Sequence, residues 1–387
     1  MPLRSHAPSP PETDADIAVV ALSARALAAS ARRAGLRPLV FDLFGDEDTR
    51  ALAATYVRLR SGSGLSFDAD DLIAQLGAYL PAGMPVVLGS GFEDRPDLVE
   101  TLATRFPLLA NGRRTLTWLK TPEAFAGLLA DLRVPHPRMF ETTAPAGVRT
   151  VEKQAGGAGG GHVRFADTAR GAGHYLQEFV AGHAVSALFL GNGRQARLIG
   201  FSEQWCAPAP GAPFRYGGAA GPIRLAARLE AEVGHALDAI TGASGLVGLA
   251  SADLIVDGGR WWLIEINPRP GATLDLFDRA PLPPLLGLHS EACAGRLPAL
   301  ALADAETFGG AQAAAILYAD RPVETGTDPL PDWTADRPAP GTPIGPGEPV
   351  CTVFAGGSTV SEARAVLAGR LDHIWHGLNA ASRQAAE

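Results

Sequence analysis

Lysine is nearly absent from this chain. Of its 33 fixed cations only Lys120 and Lys153 are lysines, and the other 31 are arginines. Lysine carries a compact ammonium on a flexible stem, whereas arginine presents a wide planar fork. The two lysines are therefore either surface charges or places where a narrow anion site needs the smaller group. Cysteine is scarce too. Cys206, Cys293 and Cys351 lie far apart in the sequence, which excludes a CxxC site and a disulfide framework and fits a reducing cytoplasm. No apolar run approaches the roughly 20 residues of a membrane span. There is no basic run, and 33 cations against 41 acidic residues leave a net charge of -8, so neither nucleic acid nor a membrane surface is expected as a partner. Residues 1–15 are rich in Pro, Ser and acidic side chains without an apolar h-region, and are expected to be a disordered leader rather than a signal peptide. Walker A needs Gly-Lys, but the two lysines follow Leu119 and Glu152; kinase-type GxGxxGxV, HExxH and GxSxG are also missing.

What the chain does have is 47% apolar side chains and 45 glycines over 387 residues, enough for two or three domains. From Asp16, apolar runs (17–22, 38–43, 85–88) alternate with helical stretches (24–34 and from about 97), the pattern of a parallel α/β sheet. A Rossmann-like domain is placed at 16–112. Its βα turns lack GxGxxG, so a nicotinamide-dependent oxidoreductase has little support. A helix is predicted over 122–133 with Thr121 as N-cap and Pro122 at its first position, short strands with Gly-rich turns over 148–205, and a helix over 222–241. The body of the protein is assigned to 113–310, with its gripping layer at about 148–190. Residues 311–387 read as a small β-rich C-terminal domain with strands at 313–318 and 350–355 and a last amphipathic helix from about 361. The fold class is thus α/β with α+β.

Residues 246–267 predict a hairpin around Asp257-Gly258-Gly259. A three-residue loop would pair Leu254 with Trp262, Ala252 with Ile264 and Ala250 with Ile266, placing six apolar residues on one face. Asp253, Glu265 and Asn267 then share the other face, with Asp253 diagonal to Glu265. Three oxygen donors without His or Cys suit a hard cation, and Mg²⁺ with a bound phosphate is the usual case; the alternative is a solvated polar face. Arg269 follows at once and could balance charge on a transferring phosphoryl group. A second constellation is Lys153 followed by Gly156, Gly157, Gly159, Gly160 and Gly161. Removing side-chain bulk lets backbone N–H groups approach phosphate oxygens while the lysine adds a point charge; the alternative is a flexible linker.

Lysine before a glycine-rich loop, then Gln177-Glu178-Phe179-Val180-Ala181-Gly182, then Asp253, then Glu265-Ile266-Asn267-Pro268-Arg269 resembles the ATP-grasp superfamily over roughly 16–310. The resemblance implies a Rossmann-like pre-domain, two subdomains that grip ATP, and phosphorylation of a carboxylate whose acyl phosphate is displaced by an amine or other nucleophile. It implies Lys120 and Lys153 as phosphate lysines, 156–161 as a mobile loop over the phosphates, and Glu178, Phe179 and Val180 as the adenine hinge. It further implies Asp253, Glu265 and Asn267 as ligands of one or two Mg²⁺ ions, and catalytic roles for Arg269 and Lys153. Two positions depart from the family: His183 stands where many members have a ribose-binding glutamate and is either the ribose contact here or a structural histidine at a strand start, and Leu119 precedes Lys120 where an Asp is usual. Gly89-Ser90-Gly91-Phe92-Glu93, Trp118-Leu119-Lys120-Thr121-Pro122 and the β-rich tail resemble ATP-grasp proteins of methylotrophic pterin- and furan-cofactor one-carbon metabolism, and more distantly tyramine-glutamate ligase.

On the substrate side, Arg215 is a candidate carboxylate anchor, with Tyr216 and Gly271 beside it, or else part of a surface turn. The expected substrates are a small carboxylate and an amine, and a homodimer is left open. The leading expectation is an ATP- and Mg-dependent carboxylate–amine ligase serving cofactor biosynthesis. Its rivals are a bicarbonate-using carboxylase and a non-catalytic MgATP- or MgADP-binding module.

Overall fold

The computed structural model describes residues 13–326 and 328–384. Most of the expected leader therefore lies outside the described residues; at its end Thr13 bonds Thr55 through their hydroxyls at 3.1 Å.

The first layer is built from β1 (Ile17–Val20), α1 (Arg25–Arg33), β2 (Pro38–Asp42), α2 (Glu47–Leu52), β3 (Thr55–Arg58), α3 (Ala69–Tyr79), β4 (Val86–Leu88), α4 (Pro96–Ala103) and β5 (Leu108–Leu109). The strands form a parallel sheet in the order β3-β2-β1-β4-β5. All residues of β1 and β2 are buried, as expected of strands covered on both faces by crossover helices. Two helices, α5 (Arg113–Lys120) and α6 (Pro122–Asp131), lead out of it. Thr121 occupies the N-cap of α6 with extended backbone, but its side chain makes no capping bond.

A four-stranded antiparallel sheet follows, ordered β6-β9-β7-β8, from β6 (Met139–Phe140), β7 (Thr150–Gln154), β8 (Arg164–Phe165) and β9 (His174–Glu178). The largest sheet has eight strands. It contains β10 (His183–Asn192), β11 (Ala196–Cys206), β12 (Tyr216–Ile223), β13 (Val247–Asp257) and β14 (Arg260–Asn267), with α7 (Ala227–Ser244) packed across it. The helix expected from 222 begins only at Ala227, because 222 and 223 still belong to β12. Leu229, Val233, Leu237 and Ile240, at helical spacing, press the buried face of α7 onto Phe189, Phe201, Ala250, Ala252 and Leu254.

Beyond α8 (Leu274–Phe277) and α9 (Leu285–Cys293), the β-rich C-terminal segment extends this same sheet. β15 (Ala311–Tyr318) pairs with β12 and then with β19 (Pro349–Gly357), so the backbone edge that β12 would expose is covered. β16 (Val323–Glu324), β17 (Thr334–Ala335) and β18 (Pro343–Ile344) are short, and α10 (Val360–Gln384) covers the sheet with Ala363, Leu367, Ile374 and Leu378.

A buried ion network ties these parts together. Arg25, at the start of α1, grips Asp275 of α8 with both Nη atoms (2.7 and 2.6 Å) and Asp336 of the C-terminal segment with Nε (3.1 Å). Asp48 accepts the backbone N–H groups of Asp336 and Arg337 at 2.9 and 3.0 Å. Asp46 is buried beside them. Burial, then the charges of Asp336, Asp42 and Asp48, push its carboxyl up to about 7, against Arg25. A carboxyl raised on folding stabilises the fold where it is protonated, and that contribution is lost as pH rises through the folded value. Stability should therefore decline from about pH 4 to pH 7 by up to about 1.4 kcal/mol per pH unit from this group. Asp46→Asn should flatten the slope in urea titrations across that window; an unchanged slope would refute the assignment.

Candidate active site

The β13–β14 hairpin turns in two residues, not the three expected. Asp257 pairs with Arg260, and Gly258 and Gly259 have φ of 53° and 79°, the left-handed pair that a tight hairpin turn requires. A bulge between Asp253 and Leu254 then takes up Ile264, so Leu254 faces Leu263, Ala252 faces Ile266 and Asp253 stands directly opposite Glu265. The bulge does what a longer loop would have done: it returns Leu254, Leu263, Ala252 and Ile266 to the core. Asp253, Glu265 and Asn267 are left on the opposite face, where Asn267 Nδ2 donates to Asp253 Oδ2 at 3.0 Å.

Both lysines converge on this face. Lys120 is the last residue of α5, whose Leu116 and Leu119 are anchored in the core. Its Nζ donates to Glu265 Oε1, to the Ile266 carbonyl at 3.2 Å and to Asn267 Oδ1 at 3.3 Å. Lys153, on β7, reaches Glu265 Oε2 at 3.4 Å, and Tyr175 faces it across the β7–β9 pair. Each lysine side chain is 6% exposed, so these are not surface charges. Burial alone would raise the Glu265 carboxyl, but Lys120 and Lys153 outweigh it and hold it at about 2. Burial works against the Lys153 ammonium as well, yet Tyr175 and Glu265 keep it above its usual range. Asp253 goes the other way, raised by burial and by the Glu265 charge.

Arg269 leaves the end of β14 and pairs through Nε with Glu93, a buried carboxylate at the carboxyl edge of the first sheet. Glu93 Oε2 also accepts the N–H groups of Gly91 and Phe92 at 2.8 and 2.9 Å. A side chain at Gly271 would meet Arg269 Nη1 at 2.6 Å, so that glycine leaves room for the guanidinium.

The glycine loop begins beside the lysines, with Gly156 and Gly157 lining the same cleft. Gly159 accepts the Tyr216 N–H at 2.9 Å, and Gly160, with φ of 70°, packs so closely on the Phe214 carbonyl that a Cβ would not fit. Gly156 backs onto Asp94, Gly157 onto the His162 ring, and Gly161 has open space around it. The Tyr216 phenol is raised by burial and next by the charge of Asp253. Arg215 points elsewhere: it stacks on Tyr318 at 3.7 Å and donates to the carbonyls of Ala207 (2.9 Å) and Gly347 (3.1 Å).

The expected hinge also lies apart from the lysine–carboxylate cluster. Glu178 forms a forked pair with Arg138 at 2.8 and 3.1 Å, and Phe179 packs on Phe165 and Phe214 with Arg149 over its ring. Val180 is half-buried, and His183 is exposed at the start of β10 opposite Val256. The cleft beside the lysines is lined by Pro122, Phe125, Met139, Tyr175 and Ile264, apolar and aromatic walls suited to a planar ring. Sequence reasoning gave no role to Glu93, Tyr175 or His162. Glu93 had a signal, an acid just past a Gly-Ser-Gly turn at a strand end.

The donor set fits a hard divalent ion in one respect. Among the described residues no group of three His, Cys, Asp or Glu side chains forms a metal site, and the face supplies two carboxylates and one amide oxygen. A Mg²⁺ ion is commonly held by one or two carboxylates with the remaining positions filled by water and phosphate oxygens, so this face would hold the ion together with a nucleotide.

Comparison with known proteins agrees with this geometry. Residues 120–273 match the ATP-grasp domain family. None of the curated proteins compared with the chain matches it. Among solved structures, biotin carboxylase from Campylobacter jejuni superimposes with a TM-score of 0.68 at 12% identity, over 90% of this chain and 89% of that one. N5-carboxyaminoimidazole synthetase from Staphylococcus aureus, complexed with ADP, gives 0.66 at 13%, over 94% and 98%. The L-amino acid ligase of Bacillus licheniformis gives 0.66 at 14%, over 93% and 98%. At such identities the likeness is one of fold. The class these findings define is the ATP-grasp fold preceded by a parallel α/β layer, with residues 120–273 matching the ATP-grasp domain family.

Proposed function

We propose that the protein is an ATP- and Mg²⁺-dependent ligase that phosphorylates a carboxylate and passes the acyl group to an amine. The observation that carries this reading is the convergence of Lys120 and Lys153 on Glu265 opposite Asp253, in a cleft that two glycines of the loop also line. In free protein Glu265 neutralises the two ammonium groups. With nucleotide bound, Asp253, Glu265 and Asn267 would hold the metal, which supplies charge neutralisation on the phosphates, and the lysines would turn to phosphate oxygens. Phosphoryl transfer needs little else from a protein than position and compensating charge. Arg269, paired with Glu93, would balance charge on the phosphoryl group in flight. Residues 16–112 would close one side of the cleft, 113–310 would grip the nucleotide, and the segment from 311 would brace the sheet.

The substrate pairing is narrower ground. Amino-acid ligation in cofactor assembly for one-carbon metabolism rests on the resemblances of Gly89–Glu93, Trp118–Pro122 and the β-rich tail, and a cytoplasmic setting on the scarce, scattered cysteines. A second reading, carboxylation through carboxyphosphate, is favoured by the fold neighbours named for carboxylase chemistry. Protein incubated with ATP, Mg²⁺ and panels of carboxylates and amines should release ADP and phosphate only when both substrates are present. Release that follows bicarbonate alone would replace ligation by carboxylation, and MgADP binding without turnover over the whole panel would reduce the site to a binding module.

A further inference from the structure

His162 follows the glycine loop and has no part in the site as described so far. Its Nε2 is buried without a hydrogen-bond partner, one of six such side-chain atoms among the described residues and the one nitrogen among them; the other five are Ser and Thr hydroxyl oxygens. Buried polar groups are nearly always paired, so an orphan invites an explanation. His289, which is buried as a whole residue, shows what a structural role looks like. His289 uses both nitrogens, accepting the Leu249 N–H at Nδ1 (2.9 Å) and meeting the Leu109 carbonyl at Nε2 (2.9 Å). His162 contacts the Ala158 backbone, a contact that falls to Nδ1 because Nε2 has none.

The position of the ring points to the occupant. The ring packs on Gly157, which lines the same cleft as Lys120, Lys153 and Glu265, so it stands close to the two lysines. The ring lies flat against Gly157, where a Cβ would come within 2.6 Å of Cε1 and of Nε2, so the loop is shaped to seat it. Nε2 is left without an acceptor, and a phosphate oxygen is an acceptor. A neutral imidazole can carry its proton on either nitrogen and settles it where the better acceptor lies.

We propose that His162 is a ligand of the nucleotide's terminal phosphate, donating Nε2–H to a γ-phosphate oxygen under the closed loop. This rests on the reading of the site as an ATP site. The test is calorimetric binding, with Mg²⁺, of ADP and of a non-hydrolysable ATP analogue. His162→Ala should weaken the analogue about tenfold or more, the size expected for a lost hydrogen bond to a charged group, and leave ADP within about twofold. His162→Gln, which keeps a donor, should recover part of the loss. If His162→Ala does not fold, His162→Leu and His162→Gln pose the same question with similar bulk, and selective loss in the leucine variant alone supports the proposal. Equal weakening of both nucleotides, or of neither, overturns the role of His162 and leaves the ATP site standing. Wild-type protein that binds neither nucleotide overturns the ATP reading and this proposal with it.

Discussion

Glu265→Gln should lower ATP-dependent turnover by about a thousandfold and also destabilise the free protein, whereas Asp253→Asn should lower turnover while making the free protein more stable. The two carboxylates stand opposite one another on adjacent strands, yet their surroundings have opposite signs. Glu265 lies between two nearly buried ammonium groups, and removing its charge leaves both uncompensated. Breaking a buried pair in this way costs about 3–5 kcal/mol. The Glu265 carboxyl is held at about 2, below its ordinary value, so its contribution is present above the unfolded value and is lost as pH falls through that value toward 2. Asp253 carries the reverse burden, since burial and the neighbouring Glu265 charge raise it, and an amide there relieves repulsion. Each variant removes one charged oxygen that would hold the metal, and loss of one such electrostatic contact costs about 10²–10³ in rate. Urea melts of the free protein and ADP-release rates would separate the effects. Turnover retained in both variants would refute the metal face, and stability changes of the same sign would refute the charge assignment.

The face itself was legible in the sequence because period-two alternation carries it: Asp253, Glu265 and Asn267 interrupt an otherwise apolar hairpin, and burial forces them to the other side. The turn was not. Two consecutive glycines fit a two-residue or a three-residue loop, and only the bulge at Ile264, which no local propensity announces, reconciles the tight turn with the apolar register. The glycine loop after Lys153 was visible as composition, but its partners at Asp94, Phe214 and Tyr216 come from other parts of the chain. Glu93 and Arg269 are joined across 176 positions. Around Arg215 the local sequence reads as a substrate loop or a surface turn, and the contacts of its guanidinium with Tyr318 and Gly347, more than 100 residues later, could not be read there. The parallel layer was readable from its alternation of apolar runs and helices. That the C-terminal strands would add to the central sheet was not, because strand patterning gives faces and not neighbours.

Lys153→Arg should fold and bind nucleotide more weakly, with kcat/KM for ATP falling about a hundredfold or more. The change keeps the charge, so a site that asked only for a cation would tolerate it, and a chain with 31 arginines supplies arginine at nearly every other cationic position. The surroundings argue against tolerance. The Lys153 stem runs through a nearly closed space between Tyr175 and Glu265, with Gly156 and Gly157 lining the same cleft. A guanidinium there would match the Glu265 carboxylate with two parallel bonds, a geometry that arginine favours and that would hold the carboxylate against release to a metal. A lysine makes a single contact at 3.4 Å and can turn from Glu265 to a phosphate oxygen without breaking a fork. The expected signature is therefore a stable variant, with an unfolding midpoint at or above that of the parent in the absence of nucleotide, that needs more Mg²⁺ for half-maximal rate. Normal turnover at unchanged Mg²⁺ demand would show that the site asks only for charge, and the scarcity of lysine would then carry no information about phosphate.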